Sequence, residues 1–243
     1  MLTVISSLRL TGVKPAQLLS GLARYKNVLV VTAATLLTVA LTLKLLAPAS
    51  APDLAQPGNA SRVLALTESW ESGDVIALVR HAERCDRSTA PCLGPADGVT
   101  VRGEAAVRKL GMDFQQLGLN TVDIYSSLLT RARQTADAMF IRPVEAQDWL
   151  FSCRGTMLRD ALRHKVPGRN LVLVTHSECM EQMEMDLQVP TDTALSYGSA
   201  LFIKVDGSSV QPKMLGYIAP EDWGHLVPGM TGAVTSGLET SHL

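Results

Sequence analysis

A chain of 243 residues that is 47% apolar and 19% charged has ordinary globular composition, long enough for one full-sized domain plus an extension. Aromatic residues make up only 5%, so the core has to be mostly aliphatic. The net charge of −1 hides a segregation: residues 1–52 hold Arg9, Lys14, Arg24, Lys26 and Lys44 and no acid, which leaves the remainder net acidic, without a basic footprint for nucleic acid.

The basic beginning leads into VLVVTAATLLTVALTL, Val28 to Leu43, then Lys44 and Leu45-Leu46-Ala47. A run of about 20 apolar residues crosses a bilayer, and Lys44 near its end can snorkel to the interface. No polar face interrupts the run, which argues against a buried core helix. Positive residues on the amino side predict that end in the cytoplasm and the bulk of the chain across the membrane. Residues 1–27 therefore read as a basic cytoplasmic N-terminus and 28–47 as a transmembrane anchor or a signal segment. The small residues Ala47-Pro48-Ala49-Ser50-Ala51 suit signal cleavage, whereas the long stretch ahead of the run favours an anchor. The expected location is periplasmic, by either route.

Residues 48–61, rich in Ala, Pro and Ser, read as a linker, and 62–228 as the main domain. Leu64 to Glu71 predicts a short helix, and the apolar run Val75 to Val79 a buried strand. The segment Arg84 to Gly98, with Pro91, Gly94, Pro95 and Gly98, reads as an irregular surface loop. Thr100 is an N-cap candidate for a helix through Leu117, stopped at Gly118. A strand over Val122 to Ser126 and a helix over Leu128 to Phe140 follow. Pro143 to Trp149 is ambiguous, and Arg154 to His164 reads as helical. After a turn at Pro167-Gly168-Arg169-Asn170, LVLVT at Leu171 to Thr175 is the clearest buried strand, with a helix over Ser177 to Leu187. A hairpin closes the domain: Ala200 to Val205, the turn Asp206-Gly207, and Val210 to Ile218. Gly229 to Leu243 reads as a frayed tail. Alternating strands and helices predict a three-layer α/β domain with a largely parallel sheet.

All four cysteines, Cys85, Cys92, Cys153 and Cys179, follow the apolar run, and an even count in an exported domain reads as a disulfide framework. Of three pairings, Cys85 with Cys92 is the most economical and leaves Cys153 with Cys179. Zinc is the rival, but there is no Cys-x-x-Cys.

Two of the five histidines end apolar strands: His81 in LVRH and His176 in LVTH. A lone histidine there is more often a structural hydrogen-bonding residue. If both strands are central in a parallel sheet, however, both imidazoles emerge at one carboxyl edge, where α/β proteins hold ligands. The arginines flanking His81 point to an anion.

Arg80-His81-Ala82-Glu83 resembles the Arg-His-Gly signature of the histidine phosphatase superfamily. SSLLTRARQTA, Ser126 to Ala136, resembles its second arginine motif, and LVTHSE its second-histidine motif. The three occur in the expected order between about Val75 and Leu187. RHAERCDRS, the cysteine loop closing at Cys92 and the membrane-directing beginning further resemble the bacterial lipopolysaccharide core heptose(II)-phosphate phosphatases.

The resemblance implies a phosphoglycerate mutase-like α/β/α fold and a metal-independent phosphomonoesterase without cofactor, acting on a phosphorylated small molecule or the lipopolysaccharide core. It implies that His81 is the nucleophile, forming a phosphohistidine, with its other ring nitrogen donating to a backbone carbonyl. Arg80, Arg131 and His176 would hold the phosphoryl oxygens. Arg84 matches the extra arginine of the acid-phosphatase branch, although Asp86 stands where that branch has proline. Ala82 replaces the usual glycine, which is tolerable if the backbone there does not need positive φ. Arg133, two residues from Arg131, is expected to point elsewhere, and Arg87 is as readily a solvated loop residue as a contact to a second substrate anion. The general acid is the open position: Glu178 is favoured over Asp148, with Asp160 and Glu83 as further candidates. An acid at Glu178 is also simply favourable in a first helical turn. The alternatives are a phosphoglycerate mutase-like or phosphohistidine phosphatase activity, both expected in the cytosol, and a pseudophosphatase that binds phosphorylated glycans or lipids.

Overall fold

The computed structural model describes residues 15–46, 50–191, 193–205 and 211–230. Residues Ala47 to Ala49 of the expected cleavage region, the hairpin turn Asp206-Gly207 and most of the expected tail lie outside the described residues. The chain divides into two units, Met1–Ala47 and Pro48–Leu243.

In the first unit, α1 (Pro15–Leu46) is one continuous helix. Its segment Tyr25–Leu43 is 19 residues with mean hydropathy 1.7, long and apolar enough to cross a membrane by length and composition. The hydroxyls of Thr35, Thr38 and Thr42 donate to the carbonyls of Val31, Ala34 and Thr38, four residues back, at 2.8–2.9 Å. Three hydroxyls along that stretch are thus satisfied within the helix, as hydrocarbon surroundings require.

The second unit is built on a six-stranded sheet in the order β3-β2-β4-β1-β5-β6. Its strands are β1 (Val75–Arg80), β2 (Val122–Ser127), β3 (Glu145–Gln147), β4 (Asn170–Thr175), β5 (Ala200–Lys204) and β6 (Lys213–Ile218). The pairs β3/β2, β2/β4 and β4/β1 are parallel, whereas β5 runs antiparallel to both β1 and β6. This is the largely parallel sheet expected, with the expected hairpin at one edge.

Helices α2 (Ala60–Glu71), α3 (Val101–Leu117), α4 (Thr130–Phe140), α5 (Met157–His164) and α6 (Ser177–Leu187) make the outer layers. The period of two along a strand sorts the core. Val75, Ala77 and Val79 of β1 pack with Leu66, Trp70, Val107, Phe114 and Met139 on one face. Ile76 and Leu78 pack with Met157, Met180 and Met183 on the other. The local signals explain the helix ends. The Thr100 hydroxyl accepts from Gly103 N–H at 3.0 Å, and Gly118 takes φ 91° where a side chain would be strained. Gly111 lets α3 approach α4 so closely that a methyl group there would overlap the Met139 carbonyl.

Four features differ from the expectations. The supposed linker is docked: Ala51 and Leu54 are buried, and Leu54 N–H donates to Tyr217 O at 2.9 Å, so residues 50–55 run along β6. Helix α2 begins at Ala60 rather than Leu64. Residues 223–230 form a helix whose Trp223, Val227 and Met230 are buried against α3 and the sheet, so the core extends into the expected tail. Asn170, read as a turn residue, is instead the buried start of β4. Its Oδ1 accepts from Val75 N–H at 2.9 Å and its Nδ2 donates to Trp70 O at 2.7 Å, tying α2, β1 and β4 together.

Candidate active site

Strands β1 and β4 pair in parallel with Arg80 opposite Thr175, so the next residue of each leaves the same edge. These are His81 and His176, with ring centroids 5.2 Å apart and both rings buried. His81 N–H also donates to Thr175 O at 2.9 Å, which fixes the two strand ends together.

His81 Nδ1 lies 2.7 Å from the carbonyl oxygen of its neighbour Ala82. A carbonyl only accepts, so the neutral ring carries its proton on Nδ1 and Nε2 is bare. Burial pulls the His81 pKa from 6.5 down to about 3; the Ala82 bond opposes this, and His176, Arg131 and Arg80 reinforce it. The ring is therefore neutral at physiological pH.

Arg131, in the first turn of α4, donates from Nε to His81 Nε2 at 3.2 Å. Thr135, one turn on, links that helix to the loop after His81: its hydroxyl donates to Arg131 O at 2.7 Å and accepts from Ala82 N–H at 2.9 Å. Ala82 is not among the residues with positive φ, so its side chain costs no backbone strain.

His176 Nε2 lies 2.7 Å from the Ser127 hydroxyl, while its Nδ1 is buried without a partner among the described residues. With Ser127 donating to Nε2, the Nδ1 proton is free to meet an anion. Burial first, then Arg131, lowers the His176 pKa to about 4, against the pull of Glu178. Arg80 shows the same pattern. Its Nη1 donates to Leu195 O, its guanidinium lies 4.3 Å over the Tyr197 ring, and its buried Nε has no partner among the described residues. Two buried, unspent donors beside a bare imidazole nitrogen are what an oxyanion would satisfy.

Arg84 is held by Asp86, through Nε to Oδ1 at 2.8 Å and Nη2 to Oδ2 at 2.5 Å. It still lies close enough to depress the pKa of both Arg131 and His176. Glu178, in the first turn of α6, faces the same group of cations. Burial raises its pKa, but hydrogen bonds from its own N–H and Ser177, with His176 and Arg131, outweigh that and hold the carboxyl below its usual range. Arg80, His81, Arg84, Arg131, His176 and Glu178 thus converge on one edge. Arg131, His176 and Glu178 open into a cleft of about 540 Å³ walled by residues 151–154 and α6.

The other acid candidates are engaged elsewhere or face solvent. Glu83 accepts from Arg102 and Thr100, which hold it far below the usual carboxylate range. Asp160 pairs with Arg159 at 3.1 Å and Arg163 at 3.7 Å. Asp148 is exposed, and its backbone carbonyl caps Phe151 and Ser152. Arg87 and Arg133 are exposed. Sequence reasoning missed Thr135 and Tyr197, and quoted Ser127 without a role. Thr135 and Ser127 sit inside the SSLLTRARQTA motif, which was the available signal, whereas nothing local marks Tyr197. Both disulfides form as favoured, Cys85–Cys92 with Cα atoms 5.4 Å apart and Cys153–Cys179 at 5.6 Å.

Residues 76–149 match the model of the histidine phosphatase superfamily (branch 1), the family whose first two motifs this stretch resembles. Among curated relatives, the lipopolysaccharide core heptose(II)-phosphate phosphatase of Escherichia coli O1:K1 is 36% identical over 115 residues, 46% of this chain and 57% of that protein. The protein of the same name from Escherichia coli O7:K1 is 35% identical over 116 residues. The chain thus matches little more than half the length of these relatives. Among solved structures, a phosphoserine phosphatase mutant of Entamoeba histolytica in complex with phosphoserine aligns at 15% identity and TM-score 0.47, covering 60% of this chain and 98% of that one.

Proposed function

We propose that this chain is a phosphomonoesterase that transfers the phosphoryl group of its substrate to His81 and then to water. The observation that carries this reading is the 2.7 Å contact between His81 Nδ1 and Ala82 O, which leaves the neutral Nε2 lone pair directed at Arg131. In the first step Nε2 attacks phosphorus and the bond to the substrate oxygen breaks. The leaving alkoxide takes a proton from Glu178. In the second step water attacks the phosphohistidine, Glu178 takes back the water proton, and inorganic phosphate leaves with His81 neutral again. Arg80, Arg84, Arg131 and His176 Nδ1 hold the non-bridging oxygens throughout. Phosphate-monoester hydrolysis is so slow unaided that such fixed donors have to supply most of the acceleration.

The names of the relatives support a cell-envelope sugar phosphate as substrate, the lipopolysaccharide core heptose phosphate being the specific candidate. The apolar segment Tyr25–Leu43 and the two disulfides support a domain on the oxidising side of a membrane. A non-hydrolytic reading, binding phosphorylated glycans without turnover, has one observation behind it: Glu178 is held in its charged form, unsuited to giving up a proton.

Acid quenching after mixing with an aryl phosphate separates the readings. The expected result is an acid-labile phosphoenzyme and phosphate release, both lost in His81→Ala. Phosphate release that persists in that variant rejects the mechanism, and binding without a phosphoenzyme establishes the non-hydrolytic reading.

A further inference from the structure

The cleft continues past the reacting groups to a rim on which the proposed reaction makes no demand. One wall is the turn 151–156. Phe151 is 56% exposed, unusual for so large an apolar side chain, and its ring stands edge-on to His176 at 6.0 Å. Three residues on, Arg154 is exposed and also lines the cleft. Arg102, Arg108, Arg159 and Arg169 are each paired with a carboxylate, whereas Arg154 makes no ion pair among the described residues. The facing wall is α6, which presents Glu181 and Gln182.

The rim is pre-shaped. Cys153, buried between Phe151 and Arg154, is joined to Cys179, the residue after Glu178. Asp148 O accepts from Phe151 N–H at 2.9 Å and Ser152 N–H at 3.0 Å, and Cys153 O accepts from Thr156 N–H at 3.1 Å. A turn fixed this way loses little further freedom when a ligand binds. An exposed aromatic face, carboxylate and carboxamide acceptors opposite, and an unspent guanidinium are complementary to a polyol bearing an acidic group. The ring meets carbon-bound hydrogens, Glu181 and Gln182 meet hydroxyls, and the planar fork meets a carboxylate or second phosphate. Glu178 and Glu181 would repel such an anion, and Arg154 adds its positive charge to that of Arg131 in offsetting them.

We propose that Phe151 and Arg154 form a leaving-group subsite for a phosphorylated polyol that carries a second anionic group. The inference rests on the phosphomonoesterase reading for the orientation of the substrate, with its phosphoryl group at His81.

The test uses the full chain and two open-chain phosphomonoesters of equal carbon number, glucitol 6-phosphate and 6-phosphogluconate, which differ in the terminal carboxylate. Affinity is measured by calorimetry and kcat/KM by phosphate release. The parent is expected to prefer 6-phosphogluconate by about tenfold or more, the scale of one charge-assisted hydrogen-bonded pair. Arg154→Ala should abolish the preference, Arg154→Lys should restore part of it, and Phe151→Ala should weaken both compounds relative to inorganic phosphate. No preference in the parent, or equal losses for both compounds in Arg154→Ala, overturns the subsite. Hydrolysis of neither compound by the parent removes the phosphomonoesterase reading instead, and the calorimetric ratio then still decides whether the second anion is bound.

Discussion

The Nδ1 atom of His81 and the carbonyl oxygen of Ala82 are 2.7 Å apart, so the ring proton is committed to the backbone of the adjacent residue. The buried ring is held neutral, with its pKa lowered to about 3, and His176 is lowered to about 4. In the unfolded chain both titrate near 6.5. Below that pH the unfolded state binds more protons than the native one, so the stability associated with the pair is complete above pH 6.5 and is lost as pH falls toward 4 and 3. Each unit of displacement corresponds to about 1.4 kcal/mol, and the two together to several kcal/mol. Thermal unfolding should show Tm falling steeply between pH 6.5 and 4, and His81→Gln should flatten that slope. An unchanged slope in the variant would show that the histidine is not buried neutral.

Ser127→Ala removes the hydroxyl 2.7 Å from His176 Nε2. The imidazole then has no donor to fix its tautomer, and the Nδ1 proton aimed at the anion is no longer assured. Turnover of an aryl phosphate should fall about 10- to 100-fold, the range for losing a group that orients a metal or anion ligand, with Ser127→Thr recovering much of it. A stability loss of about 1 kcal/mol accompanies it. Full activity in Ser127→Ala would remove the positioning role.

Glu178→Gln tests the proton donor. Alkyl phosphates need their leaving group protonated and aryl phosphates scarcely do, so the variant should slow alkyl substrates far more. The depressed pKa of Glu178 adds a pH signature. The acid has to be protonated in the free enzyme, so kcat/KM for alkyl phosphates should decline as pH rises from the acidic side, and the decline should vanish in the variant. Equal losses on both substrate types would assign the proton to another group.

Asn170→Ala leaves Val75 N–H without a partner in a buried place and takes one of two donors from Trp70 O, which keeps Gly73 N–H at 3.1 Å. An unsatisfied buried group costs about 1–3 kcal/mol, so urea denaturation should report a destabilisation on that scale. A loss indistinguishable from zero would mean that water reaches Val75 N–H.

Much of this arrangement was legible from local signals, and the rest was not for identifiable reasons. Strands β1 and β4 announce themselves because parallel strands buried on both faces need continuous apolar residues, and each run ends at its histidine. Helix α6 matches its expected bounds because His176 and Leu187 bracket one amphipathic stretch. Strand β3 is three residues paired only with β2, too short to carry a period. The helix 223–230 follows Pro220 and two acids, and only tertiary burial of Trp223 shows that it belongs to the core. Thr135 meets Ala82 across 53 positions, and Tyr197 meets Arg80 across a strand crossover, so neither partnership has a local trace.

The reversal of β5 beside β1 has a consequence for how the edge can change. A strand running the other way starts where its neighbour finishes, so the lead-in 195–199 arrives at the histidine edge from outside the parallel set. It clasps Arg80 three times there, through Ser199 O to Arg80 N–H at 3.0 Å, Gly198 N–H to Arg80 O at 3.1 Å, and Leu195 O to the guanidinium. The turn that carries His81 and the roof above Arg80 are therefore separate pieces of chain. Residues ahead of Leu195 can lengthen or vary, reshaping what enters from above, while the hydrogen-bonded frame that aims His81 stays as it is.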